Sequence, residues 1–151
     1  MDIVCSTDNN YVQHCCCMLV SFLENNKEDR HSIHVLSEEL KPEYLKQIKD
    51  VVDSYKGQFF YYAVNPDCLK FCPVKATDHL SIATYYRLLI ANLLPQNLKR
   101  VLYLDCDIVI DGSLKELWDT PLTGYALAAV EELGSSAQDV YERLGYDAKY
   151  G

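Results

Sequence analysis

The chain alternates between two kinds of apolar pattern, and this alternation restricts its fold more than any other feature. "DIVCS" (2–6) is a short apolar run ending in the polar turn "TDNN", and it reads as a buried strand. The next segment, "YVQHCCCMLVSFLENN", repeats apolar residues at helical spacing through Tyr11, Cys15, Met18 and Phe22, with Asn10 placed to cap it. "SIHVLS" (32–37) is a second strand. Pro42 opens a second helix, in which Tyr44, Leu45, Ile48, Val51, Val52 and Tyr55 form one stripe and Gly57 is the stop. "QFFYYAV" (58–64) is a third strand and "NPDCLKFCPVKA" a loop. "HLSIATYYRLLIANLL" (79–94) reads as a long apolar helix ended by Pro95, and "RVLYLD" (100–105) as a fourth strand. "YALAAV" (125–130) is a further strand candidate. Strands alternating with helices of this length predict an α/β fold, a mostly parallel, Rossmann-like sheet with helices on both faces. No repeat, low-complexity tract or linker interrupts it, so residues 1–151 are expected to form part or all of one domain.

In open parallel sheets, ligands sit at the carboxyl ends of the strands. Two polar clusters fall at such ends, "STDNNY" and "DCD". Side chains i and i+2 of a strand share a side, so Asp105 and Asp107 are expected to aim their carboxylates together. Two carboxylates so close repel, and a hard divalent cation relieves the repulsion. Magnesium or manganese suits oxygen ligands and keeps open positions for phosphate oxygens. The plain alternative is two solvated aspartates at a strand end. A third reading takes "DCDIV" as the DxDx(T/V) pattern of haloacid-dehalogenase-type phosphatases, with Asp105 as nucleophile and Asp107 as acid. That fold carries the pattern on its first strand and needs a lysine and more acidic residues on later strands. Here three strands precede the motif and only 44 residues follow Asp107. No GxGxxG or Walker A sequence is present, so a bound nucleotide would need another phosphate anchor, which a metal on Asp105 and Asp107 supplies.

Charge narrows the partners. Fourteen basic residues against 22 acidic ones leave a formal charge of −8, which argues against nucleic acid as the main partner. A small anionic ligand remains open if a divalent cation bridges it to carboxylates. Seven cysteines, three of them consecutive (Cys15, Cys16, Cys17), do not make a spaced, even-numbered disulfide framework. They read as small buried hydrophobes in a reducing compartment, and without a CxxC pair no structural zinc site is expected. Asp2 follows Met1 with no basic start of a secretory signal, and no apolar run approaches a membrane span. The expectation is a cytoplasmic, soluble protein, with peripheral membrane association left to residues outside this chain.

Three blocks, "MDIVCSTDNNYVQH", "HLSIATYYRLLI" and "KRVLYLDCDIVIDGSLKELWDTPL", together resemble the retaining glycosyltransferases of family 8, most of all the bacterial lipopolysaccharide galactosyl- and glucosyltransferases. The resemblance runs along essentially the whole chain in the right order. It implies a GT-A fold, a UDP-sugar donor used with manganese (or magnesium), and a saccharide or lipid-linked saccharide acceptor such as lipopolysaccharide or another cell-surface glycan.

Carried over by position, the resemblance has the turn from Ser6 and Thr7 to Tyr11 hold the nucleoside. Asp8 accepts from the uracil edge, Asn10 meets the ribose or nearby backbone, and Tyr11 covers the base. Turn formation and helix capping explain Asp8 and Asn10 equally well from chemistry alone, and helix packing explains Tyr11. Arg87, charged within an apolar helix, must be paired; it is either a structural ion pair, or it reaches the donor sugar and the metal-site carboxylates, or both. Asp105 and Asp107 would hold the metal, with Cys106 between them among the donor contacts. Glu132 matches a position near the sugar-acceptor cleft, and otherwise reads as an exposed loop carboxylate. His14, His31, His34 and His79 are assigned to no metal.

The family's chain continues past the position of Gly151 with a "YFNAG"-like strand, the residues around the anomeric carbon and a histidine as third metal ligand. No histidine follows His79 here. The resemblance therefore implies the donor-binding part of a metal-dependent UDP-hexose transferase, its acceptor side absent. The 151 residues alone are expected to bind UDP and transfer almost no sugar. A non-catalytic UDP-sugar-binding module is the other class of reading.

Overall fold

The computed structural model describes residues 1–72 and 81–130. Residues 1–119 form one compact unit, and 120–151 a second. The first unit is built on four parallel strands: β1 (Asp2–Ser6), β2 (Ser32–Ser37), β3 (Gln58–Ala63) and β4 (Leu102–Tyr103). Their order in the sheet is β3-β2-β1-β4. The chain steps outward from β1 through β2 to β3, then returns to the other side of β1, so the strand order reverses between β1 and β4. In open sheets, ligands bind outside the carboxyl ends of the strands at such a switch point.

Both faces are covered, as the near-continuous apolar runs of β1 and β2 require. Ile3, Cys5, Ile33 and Val35 point to one face, where they pack with Val12, Cys15, Met18, Leu19 and Phe22 of α1 (Val12–Asn25) and with Ile48 and Val52 of α2 (Pro42–Ser54). Val4 and Leu36, of opposite parity, meet Ala83, Tyr86 and Leu94 on the other face. Phe22, Met18 and Ile33 are fully buried, and each such side chain stabilises by roughly 1.5–3 kcal/mol.

The long helix expected over 79–94 takes another form. Residues 79 and 80 lie outside the described residues; Ile82–Leu89 is a 3₁₀ segment, and only Ile90–Leu93 (α3) is α-helical. Ile82, Thr84, Tyr85 and Tyr86 are β-branched or aromatic and favour an α-helix weakly. The residues that bury, Ala83 and Tyr86, are three apart, the repeat at which side chains eclipse in a 3₁₀ helix.

Three boundaries also differ from expectation. Asn10 makes no cap: α1 starts from Tyr11, and Asp8 takes the neighbouring backbone N–H groups instead. Tyr11 leaves the apolar stripe and is exposed. After α2 the left-handed residue is Lys56 (φ 60°), whereas Gly57 supplies space, since a Cβ there would stand 2.9 Å from Val52 Cγ1 and 3.3 Å from the His31 carbonyl oxygen. Cys5, Cys15 and Cys16 are buried, as small hydrophobes were expected to be, while Cys17 and Cys68 are exposed.

A short helix absent from the sequence reading, α4 (Lys115–Asp119), closes the first unit with an i, i+4 pair between its end residues. In the second unit, Tyr125 N–H donates to the Leu122 carbonyl across a turn where Gly124 has φ 85°. Residues 125–130 form no strand; no partner strand pairs them among the described residues, and Leu127 and Val130 stand exposed. No described helix is long and apolar enough to cross a membrane.

Candidate functional site

The site grows from the ends of β1 and β4. Leu104 N–H donates to the Val4 carbonyl at 2.9 Å, which carries the β1–β4 register one residue beyond the paired strand. The two carboxyl ends therefore lie side by side, and Ser6–Tyr11 and Asp105–Asp107 come to the same end of the sheet.

On the β1 side, Ser6 and Thr7 are buried, and Thr7 N–H continues the β1–β2 ladder by donating to the Leu36 carbonyl. The chain then turns through Asp8. Its Oδ1 accepts from Asn10 N–H at 2.7 Å and from Tyr11 N–H at 3.1 Å, which fixes the entry into α1. Asp8 thus has the turn role; among the described residues no donor reaches its Oδ2. Asn10 is exposed. The Tyr11 ring, 43 % exposed, lies 4.8 Å from that of His14 and leaves a face open to solvent.

On the β4 side the strand is shorter than expected. Pairing ends at Tyr103, and Cys106 and Asp107 lie in a turn. Strand alternation therefore does not set the relation of Asp105 to Asp107. Both are exposed at the strand end, and the turn positions Asp107. Cys106 packs half-buried against the core; burial, then the charges of Cys15 and Asp107, pushes its thiol up to about 12, so the thiol stays protonated between the two carboxylates.

Arg87 joins the halves. Its Nη2 donates to Asp105 Oδ1 at 2.7 Å and its Nε to the Thr84 carbonyl at 2.8 Å. The guanidinium carbon sits 4.6 Å from the centre of the Tyr103 ring. The Tyr103 hydroxyl in turn lies 2.7 Å from Ser6 Oγ. A continuous chain of contacts, Ser6–Tyr103–Arg87–Asp105, links the end of β1 to the turn after β4. Burial pushes the Tyr103 phenol up to about 12, so it remains a neutral hydroxyl.

Tyr103 is the residue that the sequence reading missed, although its signal was there: it stands two positions before Asp105 in "LYLD". Glu38, just past the end of β2, was also missed. Its Oε1 accepts from the Tyr86 hydroxyl at 2.8 Å. Glu132 and His79 lie outside the described residues.

The donor set suits a hard cation, because two exposed carboxylates offer oxygen and no charged soft ligand. Among the described residues no cluster of three or more histidine, cysteine or acidic side chains could hold a metal, so a cation at these two carboxylates would need further ligands from elsewhere. Water or phosphate oxygens would fill the other positions.

Comparison with known proteins agrees with this architecture. The family model for glycosyl transferase family 8 matches residues 2–148. General stress protein A of Bacillus subtilis is 30 % identical over 146 residues, covering 95 % of this chain and 49 % of that protein. A lipopolysaccharide 1,2-glucosyltransferase of Escherichia coli is 33 % identical over 133 residues, covering 88 % of this chain and 37 % of its own. The crystal structure of the galactosyltransferase LgtC in complex with donor and acceptor sugar analogs superposes with a TM-score of 0.85 at 29 % identity, over 95 % of this chain and 51 % of that one. This chain spans about half or less of the length of these proteins. The fold is thus of the GT-A type that the sequence blocks implied, and the chain belongs to glycosyl transferase family 8.

Proposed function

We propose that residues 1–151 are the donor-binding part of a metal-dependent glycosyltransferase that takes a hexose from a UDP-sugar, with lipopolysaccharide or another cell-surface glycan as the acceptor class. The observation that carries this reading is the convergence of Ser6–Tyr11 and Asp105–Asp107 at one strand-order switch point, linked through Arg87 and Tyr103. The lipopolysaccharide glucosyltransferase among its relatives supports the acceptor class.

In this reading Asp8 uses its unengaged Oδ2 to accept from the uracil edge while Oδ1 keeps the turn. The open face of Tyr11 covers the base, and Asn10, exposed beside it, meets the ribose. Asp105 and Asp107 hold manganese or magnesium, which when bound neutralises the diphosphate leaving group as a Lewis acid. Arg87 stands where the donor sugar meets the carboxylates.

The test is calorimetric titration of UDP, with and without manganese, on the wild-type chain and on Asp107→Asn. UDP and metal should each tighten the other by the same factor, since coupling between two sites is reciprocal. UDP binding that ignores manganese, or equal manganese affinity in the two proteins, would overturn the reading. UDP binding without release of UDP from UDP-hexose in the presence of a saccharide acceptor would favour a non-catalytic binding module. A phosphorylated Asp105 with no preference for UDP would favour the phosphatase alternative.

A further inference from the structure

We propose that Arg87, aimed by Tyr103, is a built-in counter-cation that competes with the divalent metal for Asp105. Tyr103 is then a positioning residue that sets how strongly the site holds metal before the nucleotide arrives. The inference rests on the donor-site reading above and goes beyond it, since that reading gives neither Arg87 nor Tyr103 a part in setting metal affinity.

The geometry carries it in three steps. First, Arg87 is committed to Asp105: its Nη2 lies 2.7 Å from Oδ1, and the pair is about two-fifths to one-half exposed, so it can open. Second, the guanidinium is held from two other directions. Nε donates to the Thr84 carbonyl one 3₁₀ turn back, and the flat face of the cation lies 4.6 Å from the Tyr103 ring centre, within the range of a cation–π contact. Third, the ring itself is fixed. Tyr103 packs against the apolar cluster on its face of the sheet, and its hydroxyl is tied to Ser6 Oγ at 2.7 Å. The cation over Asp105 is therefore positioned by the strand that carries the carboxylate and by the strand beside it.

A monovalent cation fixed at a carboxylate opposes a divalent one at the same group. Charges of +1 and +2 about 5 Å apart repel enough to weaken binding roughly fifteenfold in water at low salt, and roughly fivefold at physiological ionic strength. A diphosphate brings negative charge of its own. It gives Arg87 a second anion to pair with and removes the competition, so metal and nucleotide arrive together.

The sign of the effect separates this proposal from a structural role, because damage to a site weakens metal binding. Manganese is titrated into the nucleotide-free 151-residue chain and followed by calorimetry. Arg87→Met keeps the apolar stem and removes the charge; it should tighten manganese about fivefold at physiological salt and more at low salt. Arg87→Lys restores the charge and should return the affinity to within about twofold of wild type. Tyr103→Leu, which frees the guanidinium, should tighten manganese about two- to threefold, whereas Tyr103→Phe keeps the ring face and loses only the tie to Ser6, so it should tighten manganese less than Tyr103→Leu does. Arg87 is exposed, so its variants fold even if Tyr103→Leu does not. Unchanged or weaker manganese binding in Arg87→Met, with Asp105→Asn still weakening it, overturns this inference alone. Manganese binding indifferent to both Asp105→Asn and Asp107→Asn overturns this inference and the donor-site reading together.

Discussion

Asp8 carries two duties, and two substitutions pull them apart. Its Oδ1 accepts from the backbone N–H groups of Asn10 at 2.7 Å and Tyr11 at 3.1 Å, where α1 begins. Asp8→Ala leaves both donors without their partner. Loss of such a cap destabilises by about 1–2 kcal/mol. In a chain of 151 residues, each kcal/mol moves the melting temperature by about 2–4 °C, so a drop of roughly 2–8 °C is expected. Asp8→Asn keeps an oxygen for the same two N–H groups, and asparagine serves this position as well as aspartate, so stability should change by less than about 0.5 kcal/mol.

The nucleotide sees a different change. The asparagine oxygen stays with the turn, so its NH₂ replaces Oδ2 and presents a donor where the uracil N–H needs an acceptor. An unmatched buried donor costs about 1–3 kcal/mol, so UDP should bind roughly five- to 150-fold more weakly. Thermal melts and UDP calorimetry in manganese on the three proteins decide it. Wild-type UDP affinity in Asp8→Asn would refute the ligand role and leave Asp8 a turn residue. An Asp8→Ala protein as stable as wild type would refute the capping argument.

Three further outcomes are expected. Tyr11→Ala removes an exposed ring from the base-covering position and should weaken UDP by roughly 1–3 kcal/mol with melting unchanged; equal affinity would leave Tyr11 with its His14 contact only. Gly57→Ala places a Cβ against Val52 Cγ1 and two backbone oxygens and should destabilise by about 1–3 kcal/mol in urea unfolding, a value near zero meaning that the α2–β3 junction yields easily. His34 is buried beneath Phe60 and between Tyr62 and Asp2, and burial, outweighing the Asp2 contact, lowers its pKa below the usual 6.5. The unfolded chain then binds the proton more readily, so stability is complete above about pH 6.5 and declines as pH falls toward the folded pKa; a melting temperature constant from pH 7 to 5.5 would contradict this.

Much of the fold was legible because its signals are local and agree with one another. The apolar runs of β1, β2 and β3 and the stripe of α2 needed only periodicity, and all four elements stand where the pattern put them. The 82–89 segment misled because an apolar run shows where a segment buries and not its pitch. The three-residue step from Ala83 to Tyr86 was the available clue. "YALAAV" has strand composition, but a strand is made by its partner, and pairing is invisible to a window of six residues. Gly57 marked the end of α2 correctly for a different reason, since the steric need comes from Val52 and His31, the latter 26 residues earlier.

The site was legible as two clusters at strand ends. Their adjacency follows from β4 returning beside β1, a tertiary fact. Arg87 was expected to need a counter-charge because a helix buried all round would bury it; it is exposed, and its pairing with Asp105 across the face of Tyr103 is a tertiary fact. Asp105 and Asp107 were expected to share a side through strand alternation, but pairing ends at Tyr103 and a turn at Cys106 and Asp107 takes that rule away.

The most direct test of the account is a crystal of this chain soaked with manganese and UDP, with the metal located by its anomalous scattering. The account predicts one manganese peak touching carboxylate oxygens of Asp105 and Asp107 and the diphosphate, with the uracil beside Asp8 and Tyr11. Manganese elsewhere, or UDP bound at the Asp8 turn with no metal at Asp105 and Asp107, would contradict it.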